Sequence, residues 1–152
     1  MRIHEAWLNK QTKDDPKPAM VPWVMLDDEY KESNRAQARD ILVKLGRMGY
    51  KAVPVTGRPI KLLNFKPAEV ERMAIMEHER WVAEKKAMGW SYGTPRNNVL
   101  KLHPMLLDYD ELTEEQKELD RDPVRRIPEQ LMGSGYEVAR DPKRAVRSSR
   151  MR

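Results

Sequence analysis

Apolar residues recur at helical spacing in three separate stretches of this chain, and glycine- or proline-containing segments divide them. Asp27 precedes Asp28 and Glu29, and Ile41, Leu42, Leu45 and Met48 then carry an apolar stripe up to Gly49. Acids suit the positive end of a helix dipole and glycine ends helices readily, so a helix capped by Asp27 is predicted. Pro67, followed by Glu69 and Glu71, opens a second helix that runs to about Met88 and stops at Gly89. Thr113-Glu114-Glu115-Gln116 is a capping box and begins a third helix, expected to reach about Arg126. Asp122-Pro123 predicts the start of a new turn, and Pro128 a break in whatever continues towards Met132. A short helix is also predicted from Met1 to about Lys10, ahead of the loop at Lys13–Pro18. Alternation marks two short strands, Tyr50–Val55 and Tyr136–Val138. Trp90–Pro104, with Gly93, Pro95, Asn97 and Asn98, is a loop or hairpin. The fold class is therefore mainly α with short β-strands (α+β).

The pattern occurs twice. Placing Trp23 on Tyr109 superimposes Leu26 on Leu112, Lys31-Glu32 on Lys117-Glu118, and Arg35 on Arg121, without a gap. The same register brings Ile41 to Ile127, Leu45 to Leu131, and Gly49-Tyr50 to Gly135-Tyr136. His4-Glu5-x-Trp7 likewise matches His78-Glu79-x-Trp81, across a shorter connection. Each copy is too small for a core of its own, so a pseudo-two-fold pair packed as one globular domain is expected. The boundaries read as a shortened first copy (1–55), a linker (56–66), a complete second copy (67–139) and a basic tail (140–152).

Composition narrows the setting. The chain has 152 residues and a net charge of +5, much of it in Arg140, Lys143, Arg144, Arg147, Arg150 and Arg152, which face only Asp141. Nucleic acid is expected as a partner only through that tail. With no cysteine there is neither a disulfide framework nor thiolate chemistry. No signal-like or bilayer-spanning apolar run occurs, so a cytoplasmic protein without a membrane partner is expected.

The second half carries His78-Glu79-x-Trp81, Gly89-Trp90-x-Tyr92-Gly93, Arg96, Lys101-x-His103-Pro104, Tyr109, Leu112, Glu118 and Asp120-Arg121. The first carries His4-Glu5-x-Trp7, Pro22-Trp23, Leu26, Lys31-Glu32-Ser33-Asn34-Arg35 and Gly49, without the aromatic arm. On these residues the chain resembles the RyR domain, the module repeated in ryanodine receptor channels and also found in bacterial and phage proteins. Asn97-Asn98 departs from the acidic residues the family commonly has after the arginine. The resemblance implies a helical paired repeat, no known catalysis, and clefts suited to adenine nucleotides or flat molecules.

The candidate chemistry is that of binding. Trp7 and Trp81 are either core residues or a stacking clamp, and an indole stacks on a base for about 1–3 kcal/mol. Trp90 and Tyr92 are expected chiefly to pack the arm, with Tyr92 kept as a ligand contact. Glu5 and Glu79 are acceptors for ribose hydroxyls or an exocyclic amine. Arg96, Arg35 and Arg121 are phosphate candidates; the competing reading of Arg35 and Arg121 is a salt bridge to Glu32, Glu118 or Asp120. His78 and His4 lack the second histidine of a metalloprotease helix, and no phosphate loop or nucleophile elbow occurs, so no metal, cofactor or catalytic set is expected. His103 is expected to be a structural hydrogen-bonding residue. The leading expectation is a non-enzymatic module binding a nucleotide-like molecule between the copies. The alternative is a protein-interaction or dimerisation module, and a homo-oligomer is compatible with either.

Overall fold

The computed structural model describes residues 23–59 and 61–144. The helix expected over Met1–Lys10, with His4, Glu5 and Trp7, lies outside the described residues, as does the tail beyond 144. The chain divides into two compact units: Lys61–Pro128 forms one, and the residues up to Ile60 together with those from Glu129 form the other. The boundaries read from the repeat, at 55, 67 and 139, therefore differ from those of the units. The cause is strand pairing, which joins residues far apart in the chain.

In the discontinuous unit, a 3-10 turn (Trp23–Met25) leads to helix α1 (Asp28–Arg47) and strand β1 (Tyr50–Pro54). Asp27 holds the extended N-cap conformation but makes no side-chain capping bond, and Asp28 and Glu29 of the first turn complement the dipole. Leu26, Ile41, Leu45 and Tyr50 are buried. Strand β4 (Tyr136–Arg140) pairs antiparallel with β1, Tyr50 opposite Arg140 and Pro54 opposite Tyr136. The Arg140 guanidinium lies 4.4 Å from the Tyr50 ring centroid.

In the continuous unit, α2 (Pro67–Ala87) packs along α3 (Glu114–Arg125). Pro67 sits in the first turn of α2, where its missing N–H costs nothing, and the Glu69 carboxylate accepts the Lys66 backbone N–H at 3.0 Å. The capping box of α3 forms: Thr113 Oγ1 accepts the Gln116 N–H, and Gln116 Oε1 accepts the Thr113 N–H. Pro123 does not begin a new turn; α3 runs through it to Arg125. Pro128 does end that helix, and it lies in the first turn of α4 (Ile127–Met132), which needs no proline N–H. Ala74, Tyr109 and Leu112 form a buried apolar cluster, with Ile75, Met105 and Leu107 against it.

The arm between α2 and α3 is not a simple hairpin. Strands β2 (Ser91–Tyr92) and β3 (Leu102–His103) run parallel, and the loop between them is closed by its own turn. Gly93 passes so close to Leu102 that a Cβ there would lie 2.8 Å from the leucine Cβ, which explains its glycine.

The elements recur in the register that places Trp23 on Tyr109. The 3-10 turn Trp23–Met25 falls on a second, Tyr109–Glu111; α1 begins where α3 begins; β1 falls on β4. The β1–β4 pairing maps onto itself in this register, because Tyr50 matches Tyr136 and Pro54 matches Arg140. Gly49 and Gly135 both take positive φ, +77° and +86°, and an added Cβ would meet nothing within 4 Å at either. Their cost on substitution is therefore a backbone cost alone. Gly49→Ala and Gly135→Ala should each destabilise the protein by about 1 kcal/mol, and by similar amounts, in urea denaturation.

Candidate functional site

Helical spacing sets up the site. His78, Trp81 and Lys85 on α2 are three and four residues apart and share one face. Two loops bring other side chains to that face. The C-terminus of α2 turns at Gly89, and Lys101, whose φ is +53°, returns its ammonium to the Met88 carbonyl at 2.7 Å. A cation on the last turn of a helix both satisfies a carbonyl and complements the dipole. Lys101 thereby ties the root of the arm to α2, and β3 carries His103 beneath Trp81.

The result is a run of rings. His78 and Trp81 lie 5.8 Å apart, Trp81 meets His103 edge-on at 4.9 Å, and His103 meets Trp90 edge-on at 6.1 Å. Trp90 ends the run and carries two cations, Lys85 at 5.0 Å and Arg96 at 5.7 Å from its ring centroid. These distances suit cation–π attraction, which favours the indole most among side chains. His103 is buried, and its Nδ1 accepts the Met105 backbone N–H at 3.1 Å, the hydrogen-bonding role expected for it.

His78 anchors the other end. Its Nε2 lies 2.7 Å from the Leu107 carbonyl oxygen and its Nδ1 3.2 Å from the Asp120 carboxylate. Two acceptors at two ring nitrogens favour the doubly protonated imidazole. Burial opposes that charge, but the Asp120 bond, then the Leu107 bond and the nearby Asp120 and Asp108 charges, outweigh it and hold the pKa above the ordinary value. Tyr109, 6.0 Å away, is buried beside Glu71; burial first, and that carboxylate second, push its hydroxyl up to about 12. One turn before Trp81, buried Glu77 is neutralised by Arg80 at 2.8 Å, which also binds Glu84 at 2.7 Å.

The structure separates the three arginines picked from the sequence. Arg121 binds Glu71 at 2.7 Å, Glu114 at 2.9 Å and Glu118 at 3.3 Å, so its charge is met locally. Asp120, the other carboxylate considered for Arg121, faces His78 instead. Arg35 lies beside Glu32 at 3.5 Å. Arg96 alone of the three faces no carboxylate among the described residues: its Nε donates to Asn98 Oδ1 at 2.9 Å. An acid at that position would neutralise it; the amide oxygen orients it and leaves its charge. Glu79 is exposed on α2, and Trp81 is half-buried. Tyr92 does not pack the arm down; it is 53% exposed. Glu5 and Trp7 lie outside the described residues.

Sequence reasoning missed Asp120 as the partner of His78 and Lys85 as a cover for Trp90. The i, i+3, i+7 spacing of His78, Trp81 and Lys85 was a signal for the second; nothing local signalled the first, which joins two helices.

The family model of the RyR domain matches residues 50–140. The match begins at the first residue of β1 and ends at the last residue of β4, and it contains the whole run of rings.

Because the folded-state pKa of His78 is raised, its stabilising contribution is complete below the ordinary histidine pKa of about 6.5 and is lost as pH rises through its higher folded value. Stability should therefore fall as pH is raised from about 6 towards neutrality and beyond. Asp120→Asn should flatten that dependence, which urea titrations at a series of pH values would show.

Proposed function

Since the chain belongs to the RyR domain family, whose model matches more than half of it, we propose that it is a non-enzymatic binding module for a nucleotide or nucleotide-derived molecule. The observation that carries this reading is Arg96: a guanidinium with no facing carboxylate among the described residues, held against the end of a run of aromatic rings. A flat ring on an indole and a phosphate on a fixed guanidinium are the two halves of nucleotide recognition. In this reading Trp81 stacks the base, Glu79 accepts from a ribose hydroxyl or an exocyclic amine, and Arg96 meets phosphate. Tyr92, exposed on the same arm, lies against the ligand. Trp7 and Glu5 join by sequence alone, as the matching positions of a shortened first copy.

Arg121 and Arg35 recede in this reading, because bringing phosphate to either means displacing carboxylates already bound. The recurrence of elements in the Trp23–Tyr109 register supports two tandem copies. The protein would serve as a cytoplasmic sensor or sequestering module of the bacterial or phage type, without a metal or cofactor.

Thermal unfolding against adenine and guanine mono-, di- and cyclic nucleotides, NAD and ADP-ribose tests the proposal. A ligand at a hundred times its Kd should stabilise the fold by about 2.7 kcal/mol, a shift of several degrees. Arg96→Gln, at an exposed position, should leave the unliganded midpoint unchanged and weaken nucleotides about tenfold while sparing the parent nucleoside. A panel with no shift, or an Arg96→Gln protein that binds nucleotides as tightly as the parent, would overturn the reading.

A further inference from the structure

The tip of the arm has a chemistry the nucleotide reading does not use. Asn97 and Leu102 exchange two backbone hydrogen bonds, at 2.9 and 2.8 Å, and close a short turn. Asn97 Oδ1 accepts the Leu100 N–H at 2.9 Å and fixes the apex from inside. Glycine, asparagine, aspartate and serine are the usual residues of such a turn. Here the apex is Val99 and Leu100, 90% and 66% exposed, with Tyr92 exposed on the adjoining strand. A closed turn holding two adjacent aliphatic side chains outward is a protrusion, and its backbone is partly satisfied before it meets anything.

Charge says what such a protrusion would meet. From Lys85 to Leu107 the chain carries Lys85, Lys86, Arg96 and Lys101 and not one aspartate or glutamate. The next carboxylates on either side are Glu84, which is bound to Arg80, and Asp108. Lys86, Arg96 and Lys101 are exposed. An aliphatic apex, an amphipathic tyrosine beside it and, behind it, three exposed cations on a stretch that carries no acid of its own are complementary to an anionic lipid surface. Aliphatic groups enter the acyl boundary, tyrosine suits the headgroup level, and lysine and arginine meet the negative surface potential. A nucleic acid would find no free aliphatic use at the apex, and the Trp90 ring is already covered by Lys85 and Arg96.

We propose that the Val99-Leu100 apex, with Tyr92 and the acid-free cationic stretch around it, docks the protein peripherally on anionic lipid. No helix among the described residues is long and apolar enough to cross a membrane, so the contact is at the surface. This inference does not depend on nucleotide binding: Val99, Leu100, Lys86 and Lys101 have no part in that reading, and only Tyr92 and Arg96 are common to both.

Co-sedimentation of the full chain with phosphatidylcholine vesicles, with and without about 30 mol% phosphatidylserine, tests it. To separate the arm from the C-terminal arginines, the comparison is repeated with Arg147, Arg150 and Arg152 changed to serine. Binding is expected to phosphatidylserine vesicles, in both backgrounds, and at least tenfold weaker to phosphatidylcholine alone. Val99→Ser with Leu100→Ser, both exposed, should keep the parent's unfolding midpoint and lose at least tenfold in vesicle affinity; Lys86→Gln should lose about fivefold. Any of four results would overturn the proposal: no binding to anionic vesicles, binding that persists in the apex variant, binding that disappears with the tail arginines, or equal capture by heparin. The last would assign the arm to polyanions in general.

Discussion

A single buried histidine connects the parts on which the continuous unit depends. His78 sits on α2, takes a carboxylate from α3 and a carbonyl from the segment just before Tyr109, and carries the first ring of the aromatic run. Charged hydrogen bonds in a buried setting are strong when both partners are present and costly when one is removed. The pairing therefore fixes how α2 and α3 meet, and with them the positions of Trp81 and His103. The Ala74–Tyr109–Leu112 cluster supplies apolar burial beside it, but apolar contacts alone would tolerate sliding that two directed bonds do not.

Electrostatics then sorts the surface. Along α3, Arg121 and Arg125 are met by carboxylates of their own helix, and α1 repeats the scheme with Arg35 and Arg39 on Glu32. Glu118 in α3 and Glu32 in α1 hold the same place in the Trp23–Tyr109 register, so the ion pairs recur along with the helices. Exposed pairs of this kind add little stability, but they hold these arginines where they are. Arg96 is the contrast. Its neighbours are an amide and an indole, neither of which cancels its charge. The arm as a whole presents a cation that no carboxylate among the described residues faces, and aliphatic side chains exposed to solvent.

Much of this was legible in the chain. The helix periods, Gly89, the Thr113 capping box and both strands could be read locally, because each follows from a few adjacent residues. So could the family, whose motif residues fall in the region matched. Other features were ambiguous because they depend on neighbours distant in the chain. Pro123 reads as a break, yet α3 tolerates it, while Pro128 ends the helix five residues on. Asp27 stands where a cap belongs but makes no capping bond. Tyr50 and Tyr136 are matched by register, yet one is buried and the other is 45% exposed, because burial depends on neighbours that register does not specify.

The sequence by itself determined the elements, the register in which they recur and the family, since these are set by local spacing and residue type. Tertiary structure alone decided which of three plausible arginines keeps an unmatched charge, that Asp120 serves His78, and that β4 pairs back onto β1. It also decided that Tyr92, Val99 and Leu100 face outward. Each of these is a fact of contact between residues distant in the chain, or of solvent reaching a side chain. Neither follows from a pattern of period two or 3.6.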